Sequence, residues 1–115
     1  MKYILDKLGN PVLETDVLKW ARWYEKADRL IVEDKIGEVL ISTVFLGLDH
    51  SFGLGLPLLY ETMIFGGKHN QFQERYSTRD EAIAGHTRAL EWVKTGENQW
   101  NTSIRLRKSG QKRLR

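Results

Sequence analysis

Apolar and polar positions alternate with two different periods along the chain, and the switches between the periods outline its elements. Near the start, KYILD and PVLE flank Gly9-Asn10-Pro11. Glycine and asparagine supply the backbone angles of a tight reversal, so this stretch predicts a hairpin or two short extended pieces. From residue 17 the period lengthens. Val17, Trp20, Ala21, Tyr24 and Ala27 share a helical face, with Trp23 beside them. Thr15 or Asp16 can cap this helix, because a side-chain oxygen there accepts from an orphan backbone amide.

The period then shortens. RLIVEDKI, Gly37 and EVLISTVFLGL are rich in β-branched and aromatic residues, which suit a pleated, half-buried surface. In the second segment Val39, Ile41, Thr43 and Phe45 share one face, and Leu40, Ser42, Val44 and Leu46 share the other. Apolar residues on both faces predict a strand covered on both sides, by a helix and by another subunit. PLLYETMIF reads as a further strand, ended by Gly66-Gly67, and QFQERYS as a polar strand near an edge. Ser77 or Thr78 caps a last helix, with Asp80 and Glu81 at its positive end and Thr95-Gly96 as its stop. Its expected core stripe is Ile83, His86, Leu90 and Val93, flanked by Ala82 and Ala89. The order ββ-α-ββββ-α predicts a small α+β single domain, an antiparallel sheet of about 4–6 strands carrying two helices.

Charge changes the picture of the last twenty residues. The chain of 115 residues carries 18 Lys and Arg against 15 Asp and Glu, a net +3. Residues 104–115, IRLRKSGQKRLR, hold six of those cations and no acid. Subtracting them leaves −3 for residues 1–103, a mildly acidic body followed by a basic tail. The division expected is a globular domain over 1–95 and a polar linker with a basic tail over 96–115. The tail cations Arg105, Arg107, Lys108, Lys112, Arg113 and Arg115 are candidates for contacting phosphate or nucleic acid, and a plain solubilising tail is the equal alternative. The chain has no cysteine, which removes disulfides, thiolate metal sites and cysteine nucleophiles. No apolar run has the length of a membrane span and no signal peptide pattern opens the sequence, so a cytoplasmic protein without membrane contact is expected.

The chemistry-bearing residues are few. Asp49-His50 follows a strand and can orient a general base, but no nucleophile accompanies it; turn hydrogen bonds for Asp49 are the simpler expectation. Gly53 and Gly55 form no phosphate-binding signature, since no helix follows them. His50, Glu61, His69 and His86 lack the short spacing of helical metal ligands, and neither a metal nor a cofactor is expected. His86 on a core stripe is more simply a hydrogen-bonded core group. Glu61 shares a strand face with apolar residues and needs a partner, for which Arg75 is the candidate. Trp20, Trp23 and Tyr24 can form a stacking platform, although a core stripe is the simpler expectation.

Taken together, STVFLGLDHSF (42–52), PLLYETMIFGG (57–67) and ERYSTRDEAIAGH (74–86) resemble a family of small proteins encoded by bacteriophages and prophages. YILDKLGNPV (3–12) and VLKWARWYEKADR (17–29) fit the likeness too, which covers about residues 1–94 and not the tail. The resemblance implies a non-enzymatic accessory protein, a homo-oligomer that counters host antiviral defence by capturing a small anionic ligand such as a nucleotide signal, or a host defence protein. By this analogy Thr43, His50, Tyr60, Thr62, Arg75 and His86, with Asp49 and Glu61, are the candidate ligand-binding residues. The alternatives are a module that binds nucleic acid or a nuclease, and, last, a small hydrolase using Asp49, His50 and Glu61.

Overall fold

In the computed structural model, which describes residues 1–96, six strands and two helices follow one another in the expected order. They are β1 (Tyr3–Leu5), β2 (Pro11–Leu13), α1 (Val17–Lys26), β3 (Leu30–Ile36), β4 (Val39–Phe45), β5 (Tyr60–Phe65), β6 (Gln73–Tyr76) and α2 (Arg79–Thr95). The fold is α+β. The strands divide into a β1–β2 hairpin and a four-stranded antiparallel sheet of order β3-β4-β5-β6, with β3 and β6 outermost. The tail residues Arg105, Arg107, Lys108, Lys112, Arg113 and Arg115 lie outside the described residues, as does Trp100.

Strand alternation sets the layers. On β4, Ile41, Thr43 and Phe45 have no exposed area, and they stand opposite Ile64, Thr62 and Tyr60 of β5, which have none either. This row is the floor of the core. Helix α2 packs across it and touches all four strands. Toward one end Phe45, Leu59, Tyr60, Tyr76 and Ala82 cluster, joined by Tyr3, Leu5, Trp23 and Ile31. Toward the other Ile41, Ile64, Ala89 and Trp92 cluster. Both helices and the hairpin therefore serve one side of the sheet. The alternate residues Leu40, Ser42, Val44, Leu46 and Met63 remain half-exposed, and Phe65 is exposed.

Each helix begins where its polar cap dictates. Asp16 Oδ1 accepts from the amides of Leu18 and Lys19, at 3.0 and 3.2 Å. Thr78 and Glu81 cap α2 reciprocally: the Glu81 amide donates to Thr78 Oγ1 and the Thr78 amide donates to Glu81 Oε1. Gly96, in a left-handed conformation with φ of 72°, closes α2 through its amide to the Trp92 carbonyl.

Two expectations about the helices need correction. The buried residues of α2 are Ala82, Gly85, His86, Ala89 and Trp92, while Ile83 is exposed. The sheet supplies the bulk at this contact, from Phe45, Tyr60, Ile64 and Tyr76. The helix turns its small residues inward so that it can approach. Gly85 marks the closest point, since a Cβ there would overlap the Tyr76 hydroxyl and ring carbons. On α1 no residue is buried; Trp20, Trp23 and Tyr24 are half-buried. The Trp20 indole donates to the carbonyls of Tyr3 and Gly47, both at 3.0 Å, and Trp23 meets Phe45 edge-on at 5.8 Å. This helix clamps the hairpin to the end of β4 and does not fill a core of its own.

Candidate functional site

Apart from Tyr60, the candidate residues fall into three groups, separated by the two faces of the sheet and by a loop. The first group lies inside, under α2. Thr43 and Thr62 are cross-strand partners, so their hydroxyls meet and hydrogen-bond directly. Thr43 Oγ1 is also 2.8 Å from His86 Nδ1, and His86 Nε2 is 2.8 Å from Asp34 Oδ2 on β3. An ionised carboxylate only accepts, so Nε2 donates to Asp34. In the neutral ring Nδ1 then accepts from Thr43, which accepts in turn from Thr62. The order carboxylate, imidazole, hydroxyl is that of a relay that activates a nucleophile. Here, however, Thr43 has no exposed area and His86 is 3% exposed, so no substrate reaches the hydroxyl. The arrangement orients a buried polar chain. Asp34 escaped the sequence reading because 52 residues separate it from His86.

The second group is on the opposite face. Glu61 pairs with Arg75 across β5 and β6, Nε to Oε2 at 2.9 Å, which supplies the partner that a nearly buried carboxylate requires. Because Glu61 stands opposite Val44 and not Thr43, this ion pair and His86 lie on different sides of the sheet.

The third group organises the loop between β4 and β5. Asp49 accepts from the amides of Ser51 (2.7 Å) and Leu58 (3.0 Å) and from the Ser51 hydroxyl (3.0 Å). These donors, the Ser51 and Leu58 amides foremost, hold its carboxyl below the ordinary range. The amide of His50 donates to the Leu58 carbonyl. Asp49 thus draws the loop closed at its base, and beyond it Phe52, Leu54 and Leu56 project with exposures of 87, 82 and 73%. Its carboxylate is spent on the loop, and Glu61 on Arg75.

Tyr60 stands apart from all three. It is fully buried beside Phe45, with ring centroids 5.3 Å apart, and its hydroxyl has no hydrogen-bond partner among the described residues. Burial pushes its acidity down, raising the pKa, and the charge of Arg79 opposes that shift. Tyr76 is also buried; its hydroxyl faces Thr62 without meeting hydrogen-bond geometry, and desolvation raises its pKa. Among the described residues no group of three or more His, Asp or Glu side chains converges as metal ligands do, and no helix is long and apolar enough to cross a membrane. Compared with protein-family models, curated proteins and solved structures, the chain matches none of them.

Proposed function

We propose that the chain is a non-enzymatic binding protein that works as a homo-oligomer, in which a second copy covers the free face of the four-stranded sheet. The face itself carries this reading. Leu40, Val44, Leu46, Met63 and Phe65 make an apolar centre on β4 and β5. Glu33 and Lys35 on β3, with Gln73 and Arg75 on β6, make a polar margin. An apolar centre with a polar rim is the anatomy of a protein interface. Four strands about 4.8 Å apart and about six residues long give the whole face, polar margin included, an area on the order of 400 Å² in projection. Glu61 and Arg75 already satisfy each other, so a second copy buries no lone charge at the centre. The burial of Thr43, Thr62 and His86 keeps ligand and substrate alike from them, so the reading rests on the free face and not on these residues.

The likeness to phage and prophage proteins supplies the biological setting: capture of a small anionic ligand, such as a nucleotide signal, or of a host factor, in the bacterial cytoplasm, against antiviral defence. Sedimentation velocity tests the core of the proposal. The full chain is expected to run as a dimer or larger species, and Val44→Arg to run as a monomer with a Tm that no longer depends on concentration. A wild-type chain that sediments as a monomer at every concentration sinks it.

A further inference from the structure

Between β4 and β5 the chain runs on as an arm. The two strands stay paired beyond their last partners on β3 and β6: the Leu46 amide donates to the Leu59 carbonyl, and the His50 amide to the Leu58 carbonyl. Asp49 locks the base of the arm and leaves residues 51–57, SFGLGLP, as its tip. The tip carries no charge, and Phe52, Leu54 and Leu56 stand on it almost clear of the rest of the fold.

The backbone of the tip holds Phe52 in an unusual conformation. The Leu54 amide donates to the Ser51 carbonyl at 3.0 Å, closing a turn whose central residues, Phe52 and Gly53, have φ of 55° and 80°. Glycine takes such angles freely and asparagine readily, but a phenylalanine is strained there. An exposed ring gains no packing within its own chain to offset that strain. Strain of this kind marks a residue held for a contact outside the chain.

The area of the free face indicates which contact. A stable pair of proteins buries about 800 Å² on each partner. The whole face supplies on the order of 400 Å², half of that. Phe52, Leu54 and Leu56 add on the order of 350 Å² per copy, which brings each partner close to the standard size. The arm also prolongs the two strands that carry the apolar centre of the face, so arm and face are continuous. The exposed Leu8, Leu13, Val17 and Leu18 belong instead to the hairpin and α1, which serve the core side.

We infer that two copies clasp each other reciprocally, the arm of each lying over the free face of the other. Phe52, Leu54 and Leu56 of one copy cover Leu40 and Phe65 of its partner. Leu40 and Phe65 stand opposite each other at the end of β4 and β5 remote from the arm. An antiparallel two-fold pairing sets that end beside the partner's arm, and every contact occurs twice. The inference rests on the self-association proposed above and adds the element that completes its interface.

Sedimentation equilibrium on the full chain gives the dimer Kd. Phe52→Asn, which suits the turn and removes the ring, should weaken the dimer about tenfold, and Phe52→Asn/Leu54→Ser/Leu56→Ser about a hundredfold. In the Val44→Arg background Phe52→Asn should leave the Tm unchanged or raise it. A lower Tm there would give the ring a role within its own chain and overturn the inference. Placement is read with a spin label on Leu56→Cys, the sole thiol in a chain without cysteine. Mixed with a ¹⁵N-labelled second copy, it should broaden that copy's Leu40 and Phe65 amides. A chain that dimerises with a Kd indifferent to the triple variant, or without that broadening, defeats the arm alone. A wild-type chain that is monomeric at every concentration defeats the self-association reading itself. Phe52-dependent binding of the Val44→Arg chain to phosphatidylcholine vesicles would overturn the inference in favour of a bilayer.

Discussion

The chain from buried Thr62 through Thr43 and His86 to half-exposed Asp34 satisfies the threonine hydroxyls and both ring nitrogens with one proton per link. Its worth lies in completeness, because a buried group deprived of its partner carries the full cost of desolvation. Thr43→Val keeps the shape of the side chain but strands His86 Nδ1 and the Thr62 hydroxyl, and should cost about 1–3 kcal/mol in urea unfolding. The double variant Thr43→Val/Thr62→Val should cost less than the two single losses combined, because it removes both hydroxyls. Asp49 acts differently. Its carboxyl is held below its ordinary range by the Ser51 and Leu58 amides, so the folded state binds its proton less readily than the unfolded chain. Its contribution is therefore present above the unfolded value near 4 and lost as pH falls through the lower folded value. Asp49→Asn should flatten the stability profile below about pH 4, measured by acid unfolding, and leave the slope between pH 5 and 8 unchanged.

At the scale of elements, the contact between α2 and the sheet is set by Gly85. A methyl group there meets the Tyr76 hydroxyl and ring, so Gly85→Ala must push the helix away or expel the ring. Overpacking of this kind costs about 1–3 kcal/mol, despite alanine's better helix propensity. Tyr76→Phe should recover part of the loss, read from chemical unfolding, since it shortens the side chain by its unpartnered oxygen. Most elements were legible in the sequence. The caps at Asp16 and Thr78, the alternation of β4 and the left-handed stop at Gly96 are local signals, and each appears where the pattern puts it. The rotation of α2 was not legible. Periodicity finds an apolar stripe, and Ile83 belongs to one, but the width of the facing sheet residues decides which stripe turns inward. That is a property of two elements together. For the same reason the aromatic stripe of α1 predicted more burial than a helix seated against a hairpin can provide.

For the molecule as a whole, the partnership of Glu61 with Arg75 and the core placement of His86 were readable, because apolar surroundings oblige a polar group to find a partner. The assignment of candidates to opposite faces followed from register, which no motif announces. The margins of the sheet carry one further consequence. Its outer strand β3 places Glu33, Asp34 and Lys35 in succession and breaks its register between Leu30 and Val32, while β6 on the far margin is four residues long. A charged, irregular edge and a stunted one resist hydrogen-bonding to another sheet. Such edges oppose ribbon-like growth from copy to copy, and two copies stacked through the free face cover it on both. An isologous pairing through that face closes on itself at two copies, where a head-to-tail contact would propagate.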